Sequence, residues 1–262
     1  MGKIKYGRQK LGQHFLTDNS VKEQIVSLAG ITDDSNILEI GPGKGALTNY
    51  LYKRGKTLTL IEADEKLALK LSQIMPLATV IHARAENVDF ATLPHPLLVV
   101  SNLPYFASIP IFKQCTNNRK HISMMVLMFQ KEVGERISSP PGSRHYGSLS
   151  VFANFHWEIE NVLSVKPGSF TPPPKVHSAV LTFIPRSTPP VNCDEKSLFR
   201  LVTISFAQKR KTLKNNLKSF YTSVSIEKAL SSAGIPEKGR AEDIAITQFA
   251  QMLDFLEEKG GK

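Results

Sequence analysis

The chain has 262 residues, which is enough for one large domain and a small one. Hydrophobic residues make up 41% of it and charged residues 21%, a balance that excludes disorder on a large scale. The formal net charge of +10 favours a polyanionic partner, nucleic acid before an anionic membrane surface, although a basic soluble protein without such a partner fits the charge equally well.

Short β-branched segments alternate with helical segments in the first half of the chain. The hydrophobic pattern predicts strands at 36–40, 57–61, 79–82, 97–100 and 123–129, and helices at 21–29, 46–53 and 64–73. We expect Asn19 or Ser20 to cap the first helix, with Glu23 three residues beyond Ser20 in a capping box. This alternation predicts a parallel sheet covered by helices on both faces.

The pattern changes in the second half. Residues 157–165 and 177–184 are predicted to be two strands that finish the sheet at its edge as an antiparallel pair. Residues 185–190 form a proline-rich linker, and helices are predicted at 198–217, 226–233 and 246–257. The fold class is therefore α/β, with a Rossmann-like domain at 1–185 and a small all-α domain at 191–262.

A glycine-rich turn, Glu-Ile-Gly-Pro-Gly-Lys-Gly at 39–45, separates the first predicted strand of the sheet from a helix. Its third glycine comes one residue too early for the dinucleotide fingerprint, and an acid precedes the first glycine by two residues. S-adenosylmethionine suits such a turn, because it carries no phosphate and its amino-acid moiety is zwitterionic. Glu62 closes the next strand and can accept hydrogen bonds from both ribose hydroxyls, a role that fits NAD equally well.

The segment Asn102-Leu103-Pro104-Tyr105 follows an apolar strand, at the edge where doubly wound sheets bind ligands. The Asn102 side-chain oxygen and a main-chain carbonyl of the Leu103–Pro104 step are placed to accept the two hydrogens of an adenine amine and to orient its lone pair. Tyr105 is predicted to stack on that base and Phe170 to supply a second ring. The alternatives are an Asn-Pro turn with a core tyrosine, and a phenylalanine that only packs.

A basic cluster lies in the predicted helix 198–217. Lys209, Arg210, Lys211 and Lys214 are candidates for binding RNA phosphates, while a solvated basic face is the alternative. The two cysteines and seven histidines have no metal-ligand spacing, so we expect reduced thiols, no metal site and a cytoplasmic location. No segment is long and apolar enough to span a bilayer, and no membrane association is expected.

Seven segments together resemble the KsgA-type ribosomal RNA adenine dimethyltransferases. They are KLGQHFL, ILEIGPGKGALT, NLPY, MFQKEVGERI, YGSLSV, SFTPPPKVHSAV and AQKRKTLKNNL, in order from Lys10 to Leu217. The resemblance implies a Rossmann-like S-adenosylmethionine-dependent methyltransferase that transfers two methyl groups to each of two adjacent adenosines near the 3′ end of small-subunit ribosomal RNA. The implied partner is an immature small ribosomal subunit, and we expect the enzyme to act as a monomer.

The resemblance also implies which residues contact the cofactor. They are His14, Leu16, Gly41, Glu62, Arg84 and Asn102. His14 stands where some members of the family have Asn. Arg84 stands where the family has an aspartate that accepts a hydrogen bond from the adenine of the cofactor, and arginine has no acceptor. Backbone groups or Glu86 then do this work, or adenine is bound more weakly.

Three alternatives stay open at this point. An erythromycin-resistance-type methyltransferase shares the catalytic architecture and modifies the large subunit. A NAD-dependent oxidoreductase fits the glycine turn and Glu62 but gives no role to the segment 102–105. A non-catalytic RNA-binding assembly factor would keep the fold without turnover, which the intact Asn102 and Tyr105 argue against.

Overall fold

The structure, a computed structural model, describes residues 14–257. Within this range the first compact unit holds residues 14–131 and 162–182, and the second holds residues 132–161 and 183–257. The predicted C-terminal domain, 191–262, falls in the second unit as far as it is described. That unit also takes in residues 132–161, which lie far from this domain in the sequence. The predicted assignment of separate functions to the two domains stays a prediction.

A seven-stranded sheet provides the framework of the site. The strands of the protein are β1 (Phe15–Leu16), β2 (Asn36–Ile40), β3 (Thr57–Glu62), β4 (Thr79–His82), β5 (Leu97–Asn102), β6 (Ile122–Gln130), β7 (Trp157–Val165), β8 (Phe170–Thr171) and β9 (Ser178–Pro185). The sheet has the order β4-β3-β2-β5-β6-β9-β7, and β1 pairs separately with β8. The predicted strands are confirmed within two residues at each end, and the last two neighbour each other at the edge as expected.

The five strands from β4 to β6 in this sheet run parallel, so their carboxyl ends meet at one edge. The residues of β2, β3, β5 and most of β6 are almost continuously apolar and buried, as a sheet covered on both faces requires, whereas those of the edge strand β4 are partly or fully exposed. The buried Ser101 hydroxyl accepts a hydrogen bond from the Ile40 amide at 2.8 Å, which ties β5 to β2 near that edge. The ends of β2, β3 and β5 thereby bring the glycine turn, Glu62 and Asn102 to the same edge of the sheet.

The helices of the first unit are α1 (Asn19–Leu28), α2 (Thr48–Leu51), α3 (Glu65–Ile74) and α4 (Ser108–Asn117). The predicted cap of α1 is wrong. Asp18 caps the helix by accepting from the Val21 amide at 3.3 Å, because its extended backbone places the carboxylate over the first turn. Asn19 and Ser20 are already inside the helix, and α4 was not predicted at all.

The second unit is helical apart from the ends of β7 and β9. Its helices are α5 (Lys131–Ser138), α6 (Ser148–His156), α7 (Glu195–Ser205), α8 (Leu213–Leu217), α9 (Ser223–Ser232) and α10 (Ile246–Leu253). They enclose a core of their own that includes Tyr146, Leu198, Leu217 and Phe249. The buried Tyr146 hydroxyl donates to the Ile244 carbonyl at 2.9 Å. The sequence analysis missed α5 and α6.

The predicted helix 198–217 is wrong in its middle, where the chain turns between α7 and α8. Asn216 explains the break, because its side-chain amide donates to the carbonyls of Ser205 at 2.6 Å and Gln208 at 3.2 Å. Thr212 then caps α8 by accepting from the Asn215 amide. The turn is therefore held by side-chain hydrogen bonds that compete with a continuous helix.

Between residues 14 and 257 no helix has the length and apolar character needed to cross a membrane. The same part of the chain contains no group of three or more metal-ligating side chains that could hold an ion. Cys115 is a buried free thiol, and Cys193 is a free thiol that is partly exposed.

Candidate active site

The glycine turn after β2 approaches the segment that follows β5. Gly41 has φ +69°, and a Cβ there would lie 3.1 Å from Cδ of Pro104. Gly43 has φ +58°, and a Cβ there would lie 3.3 Å from the ring of Phe15. Both positions favour glycine for conformation and for space. The turn consequently fits tightly between Pro104 of the Asn-Leu-Pro-Tyr segment and Phe15 of strand β1.

Glu62 lies at the end of β3 and is 5% exposed. Its Oε2 accepts from the Gly43 amide and its Oε1 from the Asp64 amide, each at 2.9 Å. These two bonds fix the carboxylate against the glycine turn and leave further lone pairs on both oxygens for a ligand. The position agrees with the predicted ribose acceptor, a role that stays a prediction.

Glu39, two residues before Gly41, is a buried acid on β2. It is 2% exposed, and its Oε2 has no hydrogen-bond partner among the described residues. Burial raises the pKa of Glu39 to about 8; the neighbouring Thr48 hydroxyl lowers it, and the charge of Glu62 raises it further. The site thus contains two carboxyl groups: Glu62, which accepts hydrogen bonds from two backbone amides, and Glu39, which burial disfavours as an anion.

The Asn-Leu-Pro-Tyr segment begins on the last residue of β5. The Asn102 side chain is half-buried, and it forms no hydrogen bond with any residue between 14 and 257. Leu103 is buried, and its carbonyl oxygen likewise accepts no hydrogen bond from that part of the chain. The Pro104 carbonyl, by contrast, accepts from the Ala107 amide at 2.9 Å. Two acceptors that are available for a ligand therefore follow each other along the main chain.

Tyr105 is the aromatic residue of this segment, and His14 lies beside it with ring centroids 5.7 Å apart. The Tyr105 hydroxyl and the Ser178 hydroxyl are 2.7 Å apart, so a hydrogen bond joins this segment to the start of β9. Burial raises the pKa of Tyr105, and the hydrogen bond to Ser178 lowers it. His14 is itself held by a 2.7 Å hydrogen bond between Nδ1 and the Pro172 carbonyl.

Phe170 and Leu16 do not lie where a ligand could contact their side chains. Phe170 is 3% exposed and Leu16 is 1% exposed, and both pack in the core of the first unit. They face each other in the register of the β1–β8 pair. The expectation that Phe170 supplies a second stacking ring stays a prediction, and pairing with β1, which buries the ring, argues against it. The structure favours the alternative, a packing phenylalanine.

Arg84 follows β4, whose last residue His82 pairs in register with Glu62. Its guanidinium is 2.9 Å from Oε1 of Glu86, and the two side chains are 54% and 29% exposed. The Arg84 hydrogen bond lowers the pKa of Glu86, against the effect of partial burial. The acceptor that Arg84 itself lacks is therefore present two residues away and is ionised.

Three residues near the predicted site escaped the sequence analysis. Phe15 lies against Gly43, with Lys44 Nζ 4.4 Å from the centroid of its ring. Ser178 is fully buried and binds the Tyr105 hydroxyl. Phe106 is 62% exposed directly after Tyr105. No feature of the sequence marked Ser178 as a site residue. Phe106 directly follows the Asn-Leu-Pro-Tyr motif, and an aromatic residue at that position could have been named as a candidate.

The basic residues lie in the second unit, but not on one helix. Lys209, Arg210 and Lys211 fall in the turn between α7 and α8. A shallow cleft is lined there by Gly142, Ser143, Arg144, Lys209, Arg210, Arg240, Glu242 and Asp243. Lys214 does not line this cleft. Its ammonium group instead forms ion pairs with Glu227 at 2.9 Å and Glu237 at 2.7 Å.

A parallel sheet with a tight glycine turn after β2, a buried acid at the end of β3 and Asn-Leu-Pro-Tyr after β5 defines an S-adenosylmethionine-dependent methyltransferase that acts on an amine. The family model described as "Ribosomal RNA adenine dimethylase" matches residues 4–258. The chain belongs to this ribosomal RNA adenine dimethylase family. It is an enzyme, its methyl donor is S-adenosylmethionine and it dimethylates adenine in ribosomal RNA. The oxidoreductase and non-catalytic alternatives are not supported.

Individual relatives agree with this family. A protein of Geobacter sulfurreducens named "Ribosomal RNA small subunit methyltransferase A" is 40% identical over 266 residues, 97% of this chain and 96% of that protein. The crystal structure of a dimethyladenosine transferase from Plasmodium falciparum has a TM-score of 0.76 at 23% identity, with 92% of this chain and 97% of that one covered. The 23S rRNA methyltransferase ErmE has a TM-score of 0.71 at 25% identity, covering 92% and 99%. The predicted methyltransferase fold is confirmed.

Proposed function

We propose that the substrate is the small ribosomal subunit, and that two adjacent adenosines near the 3′ end of its RNA each receive two methyl groups. The relative at 40% identity carries a small-subunit name, whereas the large-subunit methyltransferase ErmE is 25% identical. The difference supports the small subunit over the erythromycin-resistance type. In this proposal the protein acts in the cytoplasm, as a monomer, on an immature subunit.

The residues at the sheet edge fit a cationic nucleoside that carries no phosphate. Glu62 is fixed by two backbone amides and would hold the ribose hydroxyls. The tight turn at Gly41 leaves room beside Pro104 where a Cβ would not, and Glu39 has an oxygen without a partner among the described residues. His14 and Asn102 complete the proposed set of contacts, together with the main chain near Leu16 and the Arg84–Glu86 pair. S-adenosylmethionine supplies an electrophilic methyl group on a cationic sulfur.

The observation that carries the proposed mechanism is the pair of available acceptors at Asn102 and Leu103. The Asn102 side-chain oxygen and the Leu103 carbonyl are adjacent, and neither is used by residues 14–257, while the Pro104 carbonyl is. This difference supports the Leu103 carbonyl as the acceptor from the Leu103–Pro104 step. Each of the two oxygens would accept one hydrogen of the adenine amine. The nitrogen lone pair is then withdrawn from the ring and oriented for attack.

Proton transfer does not have to precede attack, because the amine is neutral. A new N–C bond forms as the S–C bond breaks and its electron pair stays on sulfur, and the amine proton leaves afterwards. Catalysis by this chain then consists of orientation and of hydrogen bonds that strengthen as positive charge develops on the nitrogen. The second methyl transfer begins with an amine that has one hydrogen, so one of the two acceptors is sufficient for it.

Tyr105 is proposed to stack on the target adenine. The target must leave its helical stack to reach Asn102, and an aromatic ring replaces part of the stacking that it loses. The hydrogen bond to Ser178 holds the Tyr105 hydroxyl and so fixes the ring. Burial raises the pKa of Tyr105, which keeps the hydroxyl neutral.

RNA phosphates are proposed to bind the turn that contains Lys209, Arg210 and Lys211. Arg144 and Arg240 line the same cleft, so cationic side chains from three loops meet there. Glu242 and Asp243 line it beside them, and Arg240 pairs with Glu242 at 3.5 Å. Phosphate contacts fix the position of an RNA without reading its sequence. Lys214 is not included in this contact, because two carboxylates already balance its charge.

One experiment tests the proposal as a whole. The enzyme is incubated with a labelled methyl donor and either immature small subunits or large subunits, and the nucleosides are then analysed. We expect dimethyladenosine in the small subunit alone, at two neighbouring positions, and loss of the single-turnover rate in Asn102→Ala with RNA affinity preserved. Labelled large subunits would favour the erythromycin-resistance type, and an Asn102→Ala enzyme with the normal rate would refute the role of the two acceptors.

A further inference from the structure

One aromatic ring near the proposed site is turned to solvent. Among residues 14–257 three phenylalanines are exposed, Phe106 at 62%, Phe220 at 42% and Phe255 at 43%, and Phe106 alone belongs to the first unit. It makes no ring contact with any of these residues. Single exposed apolar side chains are common and need no explanation by themselves. The position of Phe106, directly after Tyr105, is what makes it informative.

The backbone around Phe106 is fixed although its side chain is free. Residues 105–107 form one turn of 3₁₀ helix, closed by the 2.9 Å hydrogen bond from the Ala107 amide to the Pro104 carbonyl. The buried Ser108 hydroxyl donates to the Tyr105 carbonyl at 3.0 Å, and α4 begins at Ser108. The ring is therefore held in place at its Cα without being packed. On binding, only the side-chain torsions of Phe106 have to be fixed, because its backbone is already ordered.

A base that leaves an RNA stack exposes the face of its neighbour. Stacking of that face on an aromatic side chain is favourable and tolerates any base, with purines offering the larger surface. Two features of the first unit restrict the candidates for this role. Tyr105 is already assigned to the target adenine, and Phe170 is buried in the core. Phe106 remains the exposed ring, three positions along the chain from Leu103, whose carbonyl is a proposed acceptor.

We propose that Phe106 stacks on the nucleobase adjacent to the target adenosine. This inference rests on the proposed function, in which two adjacent adenosines are modified. While one adenine lies at Asn102, Phe106 covers the exposed face of the other, and the two bases exchange places between rounds. Phe106 is thus a positioning residue that makes the enzyme prefer a purine next to its target.

A cycle that combines protein and RNA changes tests this role. Immature small subunits are assembled from three RNAs. One has both adenosines, one has uridine in place of the first adenosine, and one has uridine in place of the second. Single-turnover methylation of the remaining adenosine is measured for the wild type and for Phe106→Leu. Uridine is expected to slow the wild type severalfold on one side of the target, because it keeps only part of the stacking interaction. Phe106→Leu is expected to be slower roughly tenfold on the natural RNA and to lose nothing more with uridine.

Two further variants serve as controls. Phe106→Tyr keeps an aromatic face and is expected to retain the wild-type rate and the sensitivity to uridine. Leu77→Ala removes another exposed apolar side chain of the first unit, 73% exposed, and is expected to change neither. The inference is overturned if Phe106→Leu has the wild-type rate, or if uridine slows both enzymes by the same factor. Failure of the wild type to methylate either adenosine would instead refute the proposed function.

Discussion

Replacement of Glu39 by glutamine is expected to change how the stability of the protein depends on pH. The carboxyl group is 2% exposed and its pKa is raised to about 8 by burial, from an ordinary value of 4.5. Each pH unit between these values corresponds to about 1.36 kcal/mol, so ionisation of the group in the folded protein costs on the order of 5 kcal/mol. Glutamine has nearly the same shape and cannot ionise.

The direction follows from proton binding. Between pH 4.5 and pH 8 the folded protein keeps the proton on Glu39 while the unfolded chain has lost it, so stability falls as the pH rises through this window. Above pH 8 both states are ionised and the loss is complete. The variant has no such slope. Its free energy of unfolding relative to the wild type should therefore grow by on the order of 4 kcal/mol between pH 5 and pH 9.

Urea denaturation of both proteins at several pH values, without cofactor and followed by circular dichroism, measures this difference. Glu23→Gln is a matched control, because it makes the same chemical replacement at an exposed position on α1. The control is expected to follow the wild type at every pH. Parallel curves for the wild type and Glu39→Gln would show that Glu39 is not a buried neutral acid.

Four other variants test the site and the basic cluster. Glu62→Gln replaces an acceptor of a backbone amide by a donor, so the affinity for S-adenosylhomocysteine, measured by calorimetry, is expected to fall by about 1–3 kcal/mol in a folded protein; unchanged affinity would contradict the ribose role. Arg84→Asp supplies the acceptor that arginine lacks but loses an exposed ion pair worth about 1 kcal/mol at most. Its affinity in the same assay should be equal or higher, and a large loss would reveal a direct contact of the guanidinium. In filter binding over a salt series, Lys209→Met with Lys211→Met is expected to flatten the slope by about one per lost phosphate contact. Lys214→Met should leave that slope unchanged and instead lower stability, because Lys214 lowers the pKa of Glu237 and their attraction is present above pH 4.5 and lost as the pH falls through the lower folded value. An altered salt slope in Lys214→Met would show that this lysine binds RNA.

The sheet and its edge were predictable because their sequence signals are local. An uninterrupted apolar strand, a glycine turn and an acid or amide at the strand end occur within a few residues of each other, as at Glu62 and Asn102. Parallel strands then bring such ends together without further information. The helical region was harder, because the break after α7 depends on Asn216, whose side-chain hydrogen bonds compete with the helix eight and eleven residues away.

Long-range pairing explains what the sequence analysis missed at the site. Nothing near Phe170 indicates that it faces Leu16, since the two residues meet only through the β1–β8 pair. The same pairing places His14 near Tyr105. An aromatic residue on a proline-rich loop looks equally suited to a base and to a core, and the distant strand decides between them.

The β1–β8 pair also has a consequence for how the protein reaches its active form. The bonds that hold residues 14–17 to residues 169–172 span 152 to 158 positions. A ribosome must therefore synthesise nearly two thirds of the chain before the first residues find their partners. Closing so long a loop is slow compared with pairing β2 to β3, which are joined by a short helix. The sheet edge with Glu62 can thus form while the nascent chain is still growing. The strand β1, which lies over Gly43, pairs with β8 only later.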